Sequence, residues 1–146
     1  MSINKECNSF LGVYVAENVL SRIFKNVEKM PYGNPGFDFI CNKGYKIDVK
    51  SSTLRDNSNR TPRWGFTINK NKIADYFLLL AFNDRKNLVP KHIWLVPGKE
   101  INNKVDVSIT NKLEFLEKWK QYELEDKLEK VITCCNKIKS GEEALC

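Results

Sequence analysis

Residues 36–50, Gly-Phe-Asp-Phe-Ile-Cys-Asn-Lys-Gly-Tyr-Lys-Ile-Asp-Val-Lys, constrain this chain more tightly than any other stretch. Phe37, Phe39 and Cys41 alternate with Asp38 and Ile40, and Tyr45, Ile47 and Val49 alternate with Lys46, Asp48 and Lys50, which is the period of two half-buried strands. Asn42-Lys43-Gly44 suits a three-residue hairpin loop whose last position is left-handed, a conformation that glycine adopts without a Cβ penalty. With Cys41 and Tyr45 closing the loop, antiparallel counting sets Asp38 opposite Asp48. Two carboxylates about 4 Å apart repel by roughly 4 kcal/mol at an effective dielectric near 20, and like charges directly opposed weaken a sheet. A cation is therefore expected between them.

Two candidates supply that charge: a divalent metal ion, and Lys50, two residues beyond Asp48 and so on the same face. Mg²⁺ is commonly held by one or two carboxylates together with waters and substrate phosphate oxygens. A lysine beside such an ion can orient or deprotonate an attacking water and stabilise charge on a phosphorane. Pro35-Gly36-Phe37-Asp38, nine intervening residues, then Asp48-Val49-Lys50 resembles the active-site signature of the PD-(D/E)XK nuclease superfamily. The resemblance implies that Asp38 and Asp48 are metal ligands, that the Val49 carbonyl is a further candidate ligand, and that Lys50 is the catalytic lysine. Mg²⁺ is the implied cofactor, with Mn²⁺ as a substitute. An exposed hairpin of mixed charges is the alternative for these residues taken alone.

The flanking chain bears on that choice. Residues 10–25 read as a helix, with Phe10, Val13, Leu20 and Phe24 at intervals of three to four or their multiples. Glu17 falls within this stripe and is expected on the core side, where a carboxylate needs a charged or metal partner. Many members of the superfamily carry an acidic residue on the helix before the hairpin, so the resemblance adds Glu17 to the metal and catalytic set. The alternative is a glutamate at the stripe's edge that snorkels to solvent. Pro31, Gly33 and Pro35 mark a loop into the first strand.

Residues 43–72 hold eight Lys or Arg (Lys43, Lys46, Lys50, Arg55, Arg60, Arg63, Lys70, Lys72) against Asp48 and Asp56, a net of +6 that equals the net charge of the whole chain. A basic excess concentrated beside a metal site is the electrostatic footprint expected for nucleic acid. Lys46, Arg55, Arg60, Arg63, Lys70 and Lys72 are the candidate DNA contacts, and Trp64 lies in the midst of this basic segment. A solvated lysine-rich surface is the plainer reading.

Beyond this segment, residues 64–68 alternate as a strand, 76–82 form an unbroken apolar run suited to a strand buried on both faces, and 92–96 form another strand stopped by Pro97-Gly98. A short strand is expected at 105–107. Ser108 or Thr110 is expected to cap a C-terminal helical segment over 110–139, either one helix or two meeting near 122–125. His92, with no second His or Cys near it in sequence, is expected to be structural or exposed. Five cysteines, at 7, 41, 134, 135 and 146, lack C-x-x-C spacing, so neither a disulfide framework nor a cysteine zinc site is expected. No apolar run reaches membrane-span length and the start is polar, so a soluble, intracellular, cytoplasmic protein is expected, with nucleoid or nuclear association left open.

These expectations combine into a single α/β domain over 1–146. Its restriction-endonuclease-like core lies at about 10–96, with a central mixed sheet of four or five strands flanked by helices and a C-terminal helical addition. The resemblance implies a metal-dependent endonuclease of restriction-like or homing type acting on double-stranded DNA as a homodimer or higher oligomer. A Holliday-junction resolvase-like nuclease and a non-catalytic DNA-binding module on the same fold are the alternatives, and an interaction protein with no affinity for DNA is a third.

Overall fold

The computed structural model describes residues 2–31, 36–42, 44–56, 59–68, 74–84 and 89–124, with side chains from residue 12 onward. In chain order these form α1 (Ser2–Ile23), β1 (Val27–Lys29), β2 (Phe39–Cys41), β3 (Tyr45–Thr53), β4 (Arg63–Thr67), β5 (Tyr76–Phe82), β6 (His92–Pro97), α2 (Gly98–Ile101), β7 (Asp106–Thr110) and α3 (Leu113–Trp119), closed by a 3₁₀ turn at Lys120–Tyr122.

Five strands make a mixed sheet in the order β1-β2-β3-β5-β6. β1, β2 and β3 form an antiparallel meander, β3 runs parallel to β5, and β6 returns antiparallel to β5. The expected mixed sheet of four or five strands flanked by helices is therefore present. β5 occupies the residues expected of it, and all but Tyr76 are buried, because an apolar run flanked by strands on both sides and layers on both faces has no solvent face to pattern.

Each face of the sheet carries its own core. On one side α1 lays Val15, Ala16, Leu20, Ile23 and Phe24 against Phe39, Cys41, Ile47, Leu78 and Leu80. Gly12 belongs to this contact: a Cβ there would stand 3.0 Å from Ser51 Oγ. On the other side Phe77, Leu79, Ala81, Trp94 and Val96 pack under Trp64, Phe66, Val107 and Ile109.

Those last four residues come from β4 and β7, which pair with each other as a separate two-stranded sheet. The strand expected at 64–68 thus exists, but it forms a second layer over the main sheet. Its alternation is one-sided because only one face is covered.

Several expectations are corrected. α1 begins at Ser2, earlier than the apolar stripe suggests. β1 is a three-residue edge strand with exposed Glu28 and Lys29, and its pairing with β2 sets it where no sequence pattern marks it. Ser108 and Thr110 lie inside β7, and neither caps a helix; the residue before α3 is Lys112, with no side-chain cap. α3 ends at Trp119, and Leu113, expected on its apolar stripe, is 75% exposed. The expected continuation over 125–139 lies outside the described residues.

Candidate functional site

The hairpin closes as counted: Cys41 pairs with Tyr45, Ile40 with Lys46 and Phe39 with Ile47. Asn42 (φ 49°) and Gly44 (φ 101°) take the left-handed positions that turn the chain. At the open end the ladder stops one residue short of the expected Asp38–Asp48 pair. The Asp38 N–H donates to the Ile47 carbonyl at 2.8 Å, and Asp38 Oδ2 accepts the Val49 N–H at 2.7 Å. Asp38 therefore crosses the mouth between β2 and β3, its carboxylate replacing the backbone partner that β2 no longer offers. Charge-assisted bonds of this kind are the stronger class.

In a strand, the N–H and C=O of one residue point to the same edge. The Val49 carbonyl is thus directed toward the β2 side, where Asp38 stands. Asp48 projects from the sheet beside it and is buried, at 1% exposure. Lys50 Nζ lies 3.2 Å from Asp48 Oδ2. The lysine anticipated as one source of positive charge does contact Asp48.

Register settles which face this is. Asp48, Lys50 and Ser52 pair with Phe77, Leu79 and Ala81, all members of the core beneath β4 and β7. Ile47 belongs instead to the core beneath α1. By alternation Asp38 shares the Asp48 face, because Phe39 and Cys41 pack under α1.

Glu17 is corrected on this point. It is exposed, on a helix that packs on the opposite face of the sheet. The buried stripe of α1 runs through Gly12, Val15, Ala16, Leu20 and Ile23 and continues into Phe24 just past the helix, which leaves Glu17 at its edge. Among the described residues no group of three His, Cys, Asp or Glu side chains is assembled to hold a metal. Two carboxylates and a main-chain carbonyl remain, an all-oxygen donor set. Such a set fits Mg²⁺, which takes one or two carboxylates and completes its octahedron with water and phosphate oxygens.

Ser52 extends the face that begins at Asp48. It is 6% exposed, and its Oγ accepts the Gly65 N–H at 3.1 Å, tying β3 to β4. Asp75 was missed. Its Oδ2 accepts the Lys46 N–H and its own N–H donates to the Lys46 carbonyl, both at 2.8 Å, fixing the start of β3. A lone polar residue before an apolar run carries no signal of such a role.

Of the candidate DNA contacts, Lys46 is exposed, with Nζ 5.6 Å from the centre of the Phe37 ring. Arg55 and Arg60 are exposed and Arg63 is half-buried. Lys70 and Lys72 lie outside the described residues. Trp64, in the midst of the basic segment, is fully buried and donates Nε1–H to the Phe82 carbonyl at 3.0 Å, so it presents no face to a base. His92 stacks on Trp94 with ring centres 5.1 Å apart, and its Nδ1 lies 2.9 Å from Glu123 Oε2, in keeping with a packing role.

No protein-family profile and no curated protein matches the sequence. The fold defines the class that can be stated: a mixed α/β architecture built on a five-stranded sheet. A solved structure described as a bacterial homing endonuclease, I-Ssp6803I, is similar to this chain with a TM-score of 0.51 and 15% sequence identity. The match covers 90% of this chain and 95% of that one. At this identity the likeness is one of fold.

Proposed function

We propose that this chain is a metal-dependent endonuclease that hydrolyses DNA phosphodiester bonds, of restriction-like or homing type, within the PD-(D/E)XK superfamily. The observation that carries the proposal is the mouth of β2 and β3, where Asp38 bonds the Val49 N–H, Asp48 is buried beside it, and Lys50 stands 3.2 Å from Asp48. The fold shared with a structure described as a homing endonuclease supports the reading.

Asp38, Asp48 and the Val49 carbonyl would hold Mg²⁺, or Mn²⁺ in its place. Bound there, the ion would supply Lewis-acid activation of the phosphoryl group and a bound water more acidic than bulk water. Lys50 holds its ammonium next to the reacting phosphate, orients the attacking water and offsets charge that grows in the transition state. The Asp38–Val49 bond keeps one carboxylate oxygen in place, so little reorganisation accompanies binding. The basic segment 43–72 supplies the attraction for the duplex backbone. Glu17, exposed on the far face, is left out of the ligand set.

Incubating the protein with duplex, branched and single-stranded DNA, with and without Mg²⁺, tests the proposal. Cutting that requires the metal and is lost in Asp48→Ala supports it, and Asp48→Ala cutting as well as wild type overturns the site. Preference for the branched substrate would identify a resolvase-like enzyme. The Lys50–Asp48 contact also suits a DNA-binding module whose charges are internally satisfied, and that reading expects salt-sensitive binding with no cutting in any divalent ion.

A further inference from the structure

Past the end of β3 the chain meets β4 through one antiparallel bridge, Arg55 opposite Arg63. The two residues exchange both backbone hydrogen bonds, at 2.8 Å and 3.2 Å. A directly opposed pair in such a bridge has Cα atoms about 5.5 Å apart and side chains on the same face. Like charges opposed across strands are destabilising, and the Arg63 Nε–H donates to the Thr61 carbonyl at 3.3 Å. Among the described residues no carboxylate forms an ion pair with either arginine.

The surroundings suit an anion. Arg63 and Gly65 alternate with buried Trp64 and Phe66, so they lie on the uncovered face of β4. Arg55 lies along the strand over Gly65: a Cβ built there would stand 3.7 Å from its Cζ and Nη1. The residues paired with Arg63 and Gly65 on β7 are Thr110 and Ser108, which bring two hydroxyls to this same face. Two arginines, two hydroxyl-bearing residues and a position with no side chain thus share one uncovered face. Arginine forks match phosphate oxygens in geometry as well as charge.

We infer that Arg55 and Arg63 act together as a clamp on a single backbone phosphate of a nucleic acid, with Ser108 and Thr110 beside it. The inference rests on the endonuclease reading and deepens it. Arg55 is five residues beyond Lys50, at most about 17 Å along an extended strand.

A shared phosphate makes a prediction that two separate contacts do not. Log affinity falls with log salt by about 0.9 for each phosphate neutralised on duplex DNA. Binding of a fluorescent duplex is measured in EDTA over a salt series for wild type, Arg55→Ala, Arg63→Ala and the double variant. A single clamp predicts that the double variant's slope is shallower by about 0.9, and that its affinity is close to that of the weaker single variant. A slope change near 1.8 with additive losses, or no change, overturns the clamp.

Gly65→Asp is the second variant, introducing an internal carboxylate beside the Arg55 guanidinium, where a Cβ makes ordinary van der Waals contact. It is expected to raise Tm without DNA and weaken DNA binding; unchanged affinity overturns the inference. Mg²⁺-dependent cleavage is assayed in parallel. Wild type that binds through the pair but never cuts leaves the clamp standing and removes the endonuclease reading. Wild type that cuts, with a double variant of unaltered slope, does the reverse.

Discussion

Asp48 is the residue on which the most depends, because a carboxylate at 1% exposure is stable only with compensating charge or hydrogen bonds. Lys50 supplies part of that charge at 3.2 Å, and its own side chain is 20% exposed, which softens the interaction through water. Lys50→Ala is therefore expected to lose at least about a hundredfold in cleavage rate at saturating DNA. It should also lose about 2 kcal/mol of stability, since Asp48 is left with less compensation. If Mg²⁺ occupies the same mouth, it should restore part of that stability, so thermal denaturation of Lys50→Ala with and without Mg²⁺ reads the metal site independently of cutting. Equal melting temperatures in both conditions would count against a metal there.

Cys41 gives a second test at this scale. Burial pushes its thiol from 9.0 up to about 12, because the apolar core disfavours the thiolate. In the unfolded chain the same thiol ionises near 9, so the folded state holds the extra proton between pH 9 and 12. Its contribution to stability is complete below pH 9 and is lost as the pH rises toward 12. The urea midpoint of wild type should fall more steeply from pH 8 to pH 11 than that of Cys41→Ala; parallel curves would show that Cys41 is not the group responsible.

At the scale of elements, the main sheet was legible where a pattern had one cause. The apolar run of β5 and the period-two hairpin of β2 and β3 each reflect a single environment, and the hairpin register followed from one turn. β4 showed its alternation but not its partner, since a half-covered strand reads the same in a main sheet and in a second layer. Asp38 was placed correctly along the chain, whereas its bond to the Val49 N–H was not foreseen, because counting a ladder assumes that it continues. Glu17 failed for a different reason: Val13 and Leu20 share its flank of the helix, but the buried arc is centred on Gly12, Val15, Ala16 and Ile23, which leaves Glu17 at the exposed edge.

α2 shows how closely the layers meet. The Gly98 N–H donates to the Asp75 carbonyl at 2.8 Å, and a Cβ on Gly98 would lie 1.8 Å from the Ala74 carbonyl oxygen. No side chain fits without displacing backbone. Gly98→Ala should cost about 3 kcal/mol, and because Asp75 also anchors Lys46 at the start of β3, the loss should extend to the site. Chemical denaturation checks the first part and DNA cleavage at a permissive temperature the second; wild-type stability would show that the backbone yields cheaply.

For the whole molecule, the question is how one carboxylate pair could break a duplex. Among the described residues no helix is long and apolar enough to cross a membrane, and the net charge of +6 is carried by the segment that includes β3 and β4. A single site of the proposed kind cuts one strand. Two copies related by a twofold axis would address the two antiparallel strands equivalently, the commonest symmetry of soluble oligomers. α3 leaves Leu113 at 75% and Phe115 at 38% exposure, apolar surface that no layer of the described residues covers. We therefore expect a homodimer or higher oligomer. Light scattering at micromolar concentration should give at least twice the chain mass, and supercoiled plasmid should be converted to linear product in Mg²⁺ without an accumulating nicked form. Dilution below the dimer dissociation constant should then shift the product toward nicks, because a lone copy still cuts one strand. A monomer mass together with concerted linearisation would contradict the proposed division of labour.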